Sequence, residues 1–213
     1  GRAVNRGGAA SRPLSRARSV LAETLHRLEP KIRPLRLLLL DVDGVLTDGG
    51  IYYTESGEEM KRFHIQDGMG VDLLQRAGIQ VGILTGRTSS IVERRARELG
   101  IRILKQGFYD KSAGFEEVLR EENLSREEVG YMGDDVQDLT VLKKAGFSAA
   151  PLNAAPEIQL EADYVTARSG GEGAIREVAG LILTVLGRKE NAIAEASEPG
   201  TSPPPGREAS AGL

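Results

Sequence analysis

The stretch Leu37-Leu38-Leu39-Leu40-Asp41-Val42-Asp43-Gly44-Val45-Leu46-Thr47-Asp48-Gly49 reads as a strand that runs straight into a pair of carboxylates. A short apolar run with no alternation marks a strand buried on both faces, as at the centre of a parallel sheet. Residues two apart in an extended chain point the same way, so Asp41 and Asp43 share one crevice at the strand's end. Side by side there, the two carboxylates repel each other and resist desolvation. A hard divalent cation offsets both effects, and Mg²⁺ is bound by one or two carboxylates with phosphate oxygens and water. The competing reading is an ordinary turn in which Asp and Gly supply only loop chemistry.

Outward from this stretch the chain alternates strand and helix. Expected strands are Gln80–Leu84, Arg102–Lys105, Val129–Met132, Phe147–Ala149 and Tyr164–Thr166. Expected helices are Asp67–Ala77, Ser89–Leu99, Lys111–Glu122, Asp135–Lys144, Ala155–Leu160 and Glu172–Leu186. Such alternation with short connections implies an α/β, Rossmann-like doubly wound parallel sheet covered by helices on both faces. Between Gly49 and Asp67, two β-prone segments flank Glu55-Ser56-Gly57-Glu58, which reads as a β-hairpin insertion over residues 50–65. Upstream, Ser19 is placed to cap a short helix over Val20–Glu29, with Pro30 and Pro34 breaking the chain after it.

Composition sets the outer bounds. The 213 residues carry a formal net charge of −3 and no cysteine, which excludes disulfides, thiolate metal sites and a cysteine nucleophile. Residues 1–36 hold nine Lys/Arg against two Glu, a basic arm of +7, which leaves −10 on the remainder. An acidic body argues against nucleic acid as a partner, and no apolar run is long enough to suggest a membrane span. The domain reading is a basic arm with a short helix (1–35), an α/β domain (36–187) and a disordered tail (188–213).

In a doubly wound sheet, ligands collect at the carboxyl ends of the strands. Those ends supply Asp41 and Asp43, then Thr85-Gly86-Arg87, then Lys105-Gln106-Gly107 with Lys111 beyond, then Gly133-Asp134-Asp135 with Asp138. Taken singly, Thr85, Asp134 and Asp135 serve equally well as helix caps, and Lys111 as a solvated side chain. His26 and His64 stand alone and read as surface or hairpin residues. Collected on one edge, the set suits phosphoryl transfer: cations and donors hold the phosphoryl oxygens while a carboxylate attacks phosphorus. Asp41 is the candidate nucleophile, and Asp43 the group that protonates the leaving alkoxide and then deprotonates water.

At these residues the chain resembles the haloacid dehalogenase superfamily of phosphohydrolases. It resembles most closely the branch of 3-deoxy-D-manno-octulosonate 8-phosphate phosphatases, through Leu46-Thr47-Asp48-Gly49, Ile83-Leu84-Thr85-Gly86-Arg87, Gln106-Gly107 and Gly170-Gly171 followed by Ala174–Val178. The resemblance implies Asp41, Asp43, Thr85 and Lys111 as catalytic residues, and Thr47, Gly86 and Arg87 as substrate-binding ones. It implies Mg²⁺ held by Asp41, the Asp43 carbonyl and Asp134, with Asp135 and Asp138 close behind. It also implies a sugar-acid phosphate substrate, a cytoplasmic place in lipopolysaccharide precursor synthesis, and a homotetramer packed through the 50–65 hairpin. A separate cap domain has no room, since only 23 residues separate Arg87 from Lys111.

One position departs. Glu172 stands where the octulosonate branch usually carries Arg, and Glu there is seen in phosphatases of nine-carbon keto-deoxy sugar acids. That substrate class is therefore the alternative. A phosphorylation-switched receiver module is a more remote one, because it needs an acceptor Asp where the third strand here ends in Lys105-Gln106-Gly107. An idle tetrameric scaffold is a third.

Overall fold

The four leucines of β1 (Leu37–Leu40) are wholly buried and sort by parity, as a strand covered on both sides requires. Leu38 and Leu40 enter one apolar cluster; Leu37 and Leu39 enter the other. The computed structural model of the chain describes residues 11–198. Within it β1 pairs in parallel with β4 (Gln80–Leu84) on one side and β6 (Val129–Met132) on the other. Adding β5 (Ile103–Lys105), β7 (Phe147–Ala150) and β8 (Tyr164–Val165) gives a six-stranded sheet of order β5-β4-β1-β6-β7-β8. Strand order reverses at β1, so the crevice at the carboxyl end of β1 is the switch point where a ligand fits.

Helices cover both faces. One face carries α1 (Ser11–Ile32), α2 (Ile65–Arg76), α3 (Ser90–Glu98), α7 (Ala174–Val185) and α8 (Lys189–Ser197). The other carries α4 (Lys111–Glu122), α5 (Leu139–Lys144) and α6 (Pro156–Glu161). The insertion after β1 is the expected hairpin, β2 (Tyr52–Tyr53) with β3 (Glu59–Met60), anchored at its base by a bridge between Thr47 and Phe63. Among the described residues no cap domain intervenes, and no helix is long and apolar enough to cross a membrane.

Three expectations need correction. The first helix is longer than Val20–Glu29 and runs through Pro30 to Ile32. Pro30 lies in the last turn, where it forgoes a single backbone bond, and the buried Leu28 and Ile32 on either side of it hold that turn against the core. Ser19 sits inside the helix rather than capping it, with its hydroxyl on Glu23. The arm's second half therefore belongs to the domain's packing; residues 1–10 lie outside the described residues. The reading of 188–213 as disordered fails for its first part: Gly187, at φ +65°, ends α7 and the chain re-enters as α8, which buries Ala192 against the body. Residues 199–213 lie outside the described residues. Finally, the helix expected over Asp135–Lys144 begins as a tight turn, Val136–Asp138, before α5.

Candidate active site

β1 delivers Asp41 to the sheet edge, and its backbone N–H bonds Met132 O on β6 at 3.0 Å. The chain then makes one wide turn over Val42–Leu46, with Asp43 extended and Gly44 at φ +84°. Gly44 is required twice over. A side chain resists that φ, and a Cβ there would fall 1.9 Å from Asp134 Oδ2. The turn is clasped from behind by Gly170, where a Cβ would stand 1.8 Å from Gly44 O. Asn153 ties the two, donating to Gly44 O at 3.2 Å and accepting from Gly170 N–H at 2.6 Å.

Lys111 is the hub of the site. Its Nζ lies 2.7 Å from Asp41 Oδ2 and 2.6 Å from Asp138 Oδ1, and all three side chains are buried. Burial alone would lower the Lys111 pKa, but the facing charges of Asp41 and Asp138 outweigh it and hold the ammonium above its ordinary value. Asp138 is saturated: its Oδ1 also accepts from the Tyr131 hydroxyl at 2.5 Å, and its Oδ2 accepts the Asp134 and Asp135 amides at 2.9 and 3.1 Å. Burial, then the Asp138 charge, pushes the Tyr131 phenol far up, so it stays a donor. Burial, then repulsion from Asp138, raises Asp41 to about 6 against the pull of Lys111. Asp134 rises to about 7 through burial and the charges of Asp41 and Asp138.

Oxygens of Asp41, Asp134 and Asp138 all lie within 4.8 Å of one another. With Lys111 as the ammonium among them, the ionised triad holds more negative charge than its own cation neutralises, which is the condition a divalent ion relieves. Because Asp138 already accepts four donors, Asp41 and Asp134 are the carboxylates left to ligate, and Mg²⁺ fits the hard oxygen donor set. The absence of a side chain at Gly44 is what lets Asp134 reach this point.

Around the cluster opens a cavity of about 320 Å³, to which Asp41, Asp43, Thr85, Gly86, Arg87 and Lys111 all contribute. Asp134, Asp135 and Asp138 line it as well. Asp135 spends its carboxylate capping Val136 N–H at 2.7 Å and serves the turn. Thr47, expected to bind substrate, is not among the residues that line this cavity. It is 1 % exposed, and its hydroxyl donates to Val42 O while accepting from the Gly44 and Gly49 amides, so it braces the turn from inside. Glu172 is also absent from the lining; it is exposed and faces Arg62 at 3.8 Å.

Sequence reasoning missed Tyr131, Asn153 and Lys61. Tyr131 looked like core in an apolar strand, and parity in β6 gave no cue to its hydroxyl. Asn153 sat in a loop without pattern. Lys61, whose Nζ is 2.6 Å from Asp43 Oδ1, was counted among hairpin residues.

Comparison with known proteins places this geometry in context. Residues 100–177 match the model of the haloacid dehalogenase-like hydrolases. The 3-deoxy-D-manno-octulosonate 8-phosphate phosphatase of Escherichia coli is 44% identical over 162 residues, covering 76% of this chain and 86% of that protein. The Moraxella catarrhalis phosphatase of the same name, solved with magnesium, phosphate and KDO, superposes with a TM-score of 0.76 at 38% identity, covering 81% of this chain and 97% of that one. A cobalt-bound Haemophilus influenzae counterpart is 34% identical with a TM-score of 0.73, covering 77% and 99%.

Proposed function

The chain belongs to the 3-deoxy-D-manno-octulosonate 8-phosphate phosphatases, a branch of the haloacid dehalogenase-like hydrolases, and we propose that it shares their substrate. The observation that carries the reading is Lys111 bridging Asp41 and Asp138, with Asp134 alongside, at the carboxyl edge of the sheet. That cluster holds two buried carboxylates beside one cation, at the place where an anionic phosphoryl group is received. Thr85 and Lys111 bind the phosphoryl oxygens, and Arg87 meets the sugar acid. Asp41, Asp134 and the Asp43 carbonyl would hold Mg²⁺, which would supply positive charge to screen the repulsion between Asp41 and the phosphate ester.

Asp41 Oδ forms a bond to phosphorus as the bond from phosphorus to the sugar oxygen breaks. Asp43 gives its proton to that departing oxygen, then takes one from the water that hydrolyses the aspartyl-phosphate. Burial keeps the Asp41 carboxylate basic, and a basic carboxylate is the better nucleophile once ionised. The reaction supplies 3-deoxy-D-manno-octulosonate to lipopolysaccharide precursor synthesis in the cytoplasm.

The working form is a homotetramer joined through the hairpin. Ile51, Tyr53 and Met60 are 60%, 65% and 52% exposed in the single chain, an apolar surface that a neighbouring subunit covers. With no cap, a neighbour is also what closes the cavity against water.

Phosphate release from eight- and nine-carbon keto-deoxy sugar phosphates, with Mg²⁺ and with chelator, tests the proposal. The eight-carbon ester turns over best and only with the metal; preference for a nine-carbon ester transfers the chain to the alternative substrate. Asp41→Asn abolishes turnover while the circular dichroism spectrum stays unchanged. Substantial activity in that variant means that another group attacks phosphorus.

A further inference from the structure

Lys61 has no part in the mechanism above, yet its side chain is as little exposed as that of Lys111. Its side chain is 3% exposed, with Nζ 2.6 Å from Asp43 Oδ1 and 3.3 Å from Glu59 Oε1. An ammonium buried this far is strongly unfavourable unless carboxylates face it, so its position is set by these two groups. Arg87 closes a ring of alternating charge, with one guanidinium nitrogen 2.9 Å from Glu59 and the other 3.7 Å from Asp43 Oδ2. The two cations hold Asp43 differently. Lys61 grips Oδ1 at short range from a buried site, whereas Arg87 is 43% exposed and reaches Oδ2 only at long range. Substrate therefore draws Arg87 away from Asp43 far more easily than it displaces Lys61.

We propose that Lys61 is a positioning residue: from the hairpin it fixes the Asp43 carboxyl through Oδ1, which leaves Oδ2 to serve the departing oxygen. Without that grip the carboxyl turns toward Arg87, the other cation that faces it. The inference rests on the reading of Asp43 as the group that protonates the leaving group. Lys61 touches neither the phosphoryl site nor Asp41, so its loss leaves the attack on phosphorus intact. What it weakens is proton delivery as the ester bond breaks. The hairpin then does more than join subunits; it carries the part that aims the acid.

Leaving-group dependence separates this role from a structural one. A sugar alkoxide cannot depart without a proton, whereas p-nitrophenolate departs as an anion. In the full-length Mg²⁺-loaded enzyme, Lys61→Met lowers kcat on the octulosonate ester at least about tenfold, and on p-nitrophenyl phosphate less than about threefold. Equal losses on both esters, or none on the sugar ester, overturn the proposal.

Should Lys61→Met misfold because only the more distant Arg87 then faces Asp43, the double variant Asp43→Asn with Lys61→Met removes that poorly compensated charge. Its residual turnover of the sugar ester equals that of Asp43→Asn alone within about twofold, since Lys61 acts only through Asp43. A further loss in the double variant overturns the proposal. Failure of the phosphatase reading looks different: the unaltered enzyme itself then releases no phosphate from the sugar ester.

Discussion

Asp138→Asn tests the physical account of the site most directly. The side chain is 0% exposed and its carboxylate accepts from Lys111 at 2.6 Å, Tyr131 at 2.5 Å, and the Asp134 and Asp135 amides at 2.9 and 3.1 Å. Asparagine keeps the shape but swaps one acceptor oxygen for an amide NH₂. Whichever way the amide turns, its donors confront either the Lys111 and Tyr131 pair or the two backbone N–H groups. Lys111 keeps only Asp41 as a counter-charge. Removing one partner of a buried charged pair costs about 3–5 kcal/mol. For a domain of this size that lowers the melting temperature by about 6–20 °C. Differential scanning calorimetry of the metal-free protein reads the shift, and phosphate release reads the accompanying loss as Lys111 drifts from the phosphoryl site. A melting shift under about 2 °C with turnover retained would refute the reasoning, because Asp138 could not then be the anchor of Lys111.

Four further outcomes follow from the same geometry. Asp41 and Asp134 have folded pKa values raised above the ordinary carboxylate, to about 6 and about 7, so the folded state binds protons more tightly and their contribution to stability falls as pH rises from 4 toward 7. Asp134→Asn therefore raises the melting temperature of the metal-free protein at pH 8 by roughly a few degrees and hardly at pH 4.5, while Mg²⁺ no longer stabilises the variant. The opposite pH trend would mean that the two carboxylates are not desolvated together. Gly44→Ala sets a methyl group on the Asp134 carboxylate, so isothermal titration finds Mg²⁺ binding lost; unchanged affinity would contradict the close approach. Gly170→Ala drives a Cβ into Gly44 O and lowers stability by at least about 2 kcal/mol in urea titration, with kcat falling more than KM changes. Replacing residues 50–63 by a short linker yields monomers of poor substrate selectivity, and light scattering that still finds a tetramer would remove the hairpin from the interface.

Much of this molecule was legible along the chain. Leu37–Leu40, Gly78 and Gly100 closing α2 and α3, and the regular alternation fix strands and helices locally, and spacing sets Asp41, Thr85, Lys111 and Asp134 at or just beyond successive strand ends. A parallel sheet then gathers those ends on one edge, so residues far apart in sequence met without any long-range information. Elements held by distant packing were not legible: Pro30 stays helical because Leu28 and Ile32 are buried, and α8 forms where Ala192 finds the body.

The tertiary structure alone decided which member of each polar set does which work. Thr47 carries a motif that points to the substrate, yet its hydroxyl is consumed within its own turn. Asp138, one of three clustered carboxylates, is spent on Lys111, Tyr131 and two amides, which leaves Asp41 and Asp134 open. Lys61 meets Asp43 across 18 residues, and Asn153 meets Gly44 across 109. Periodicity carries backbone conformation because that is settled within a few residues. The partner of a buried polar group is settled by which distant segment packs against it, and no local pattern records that choice.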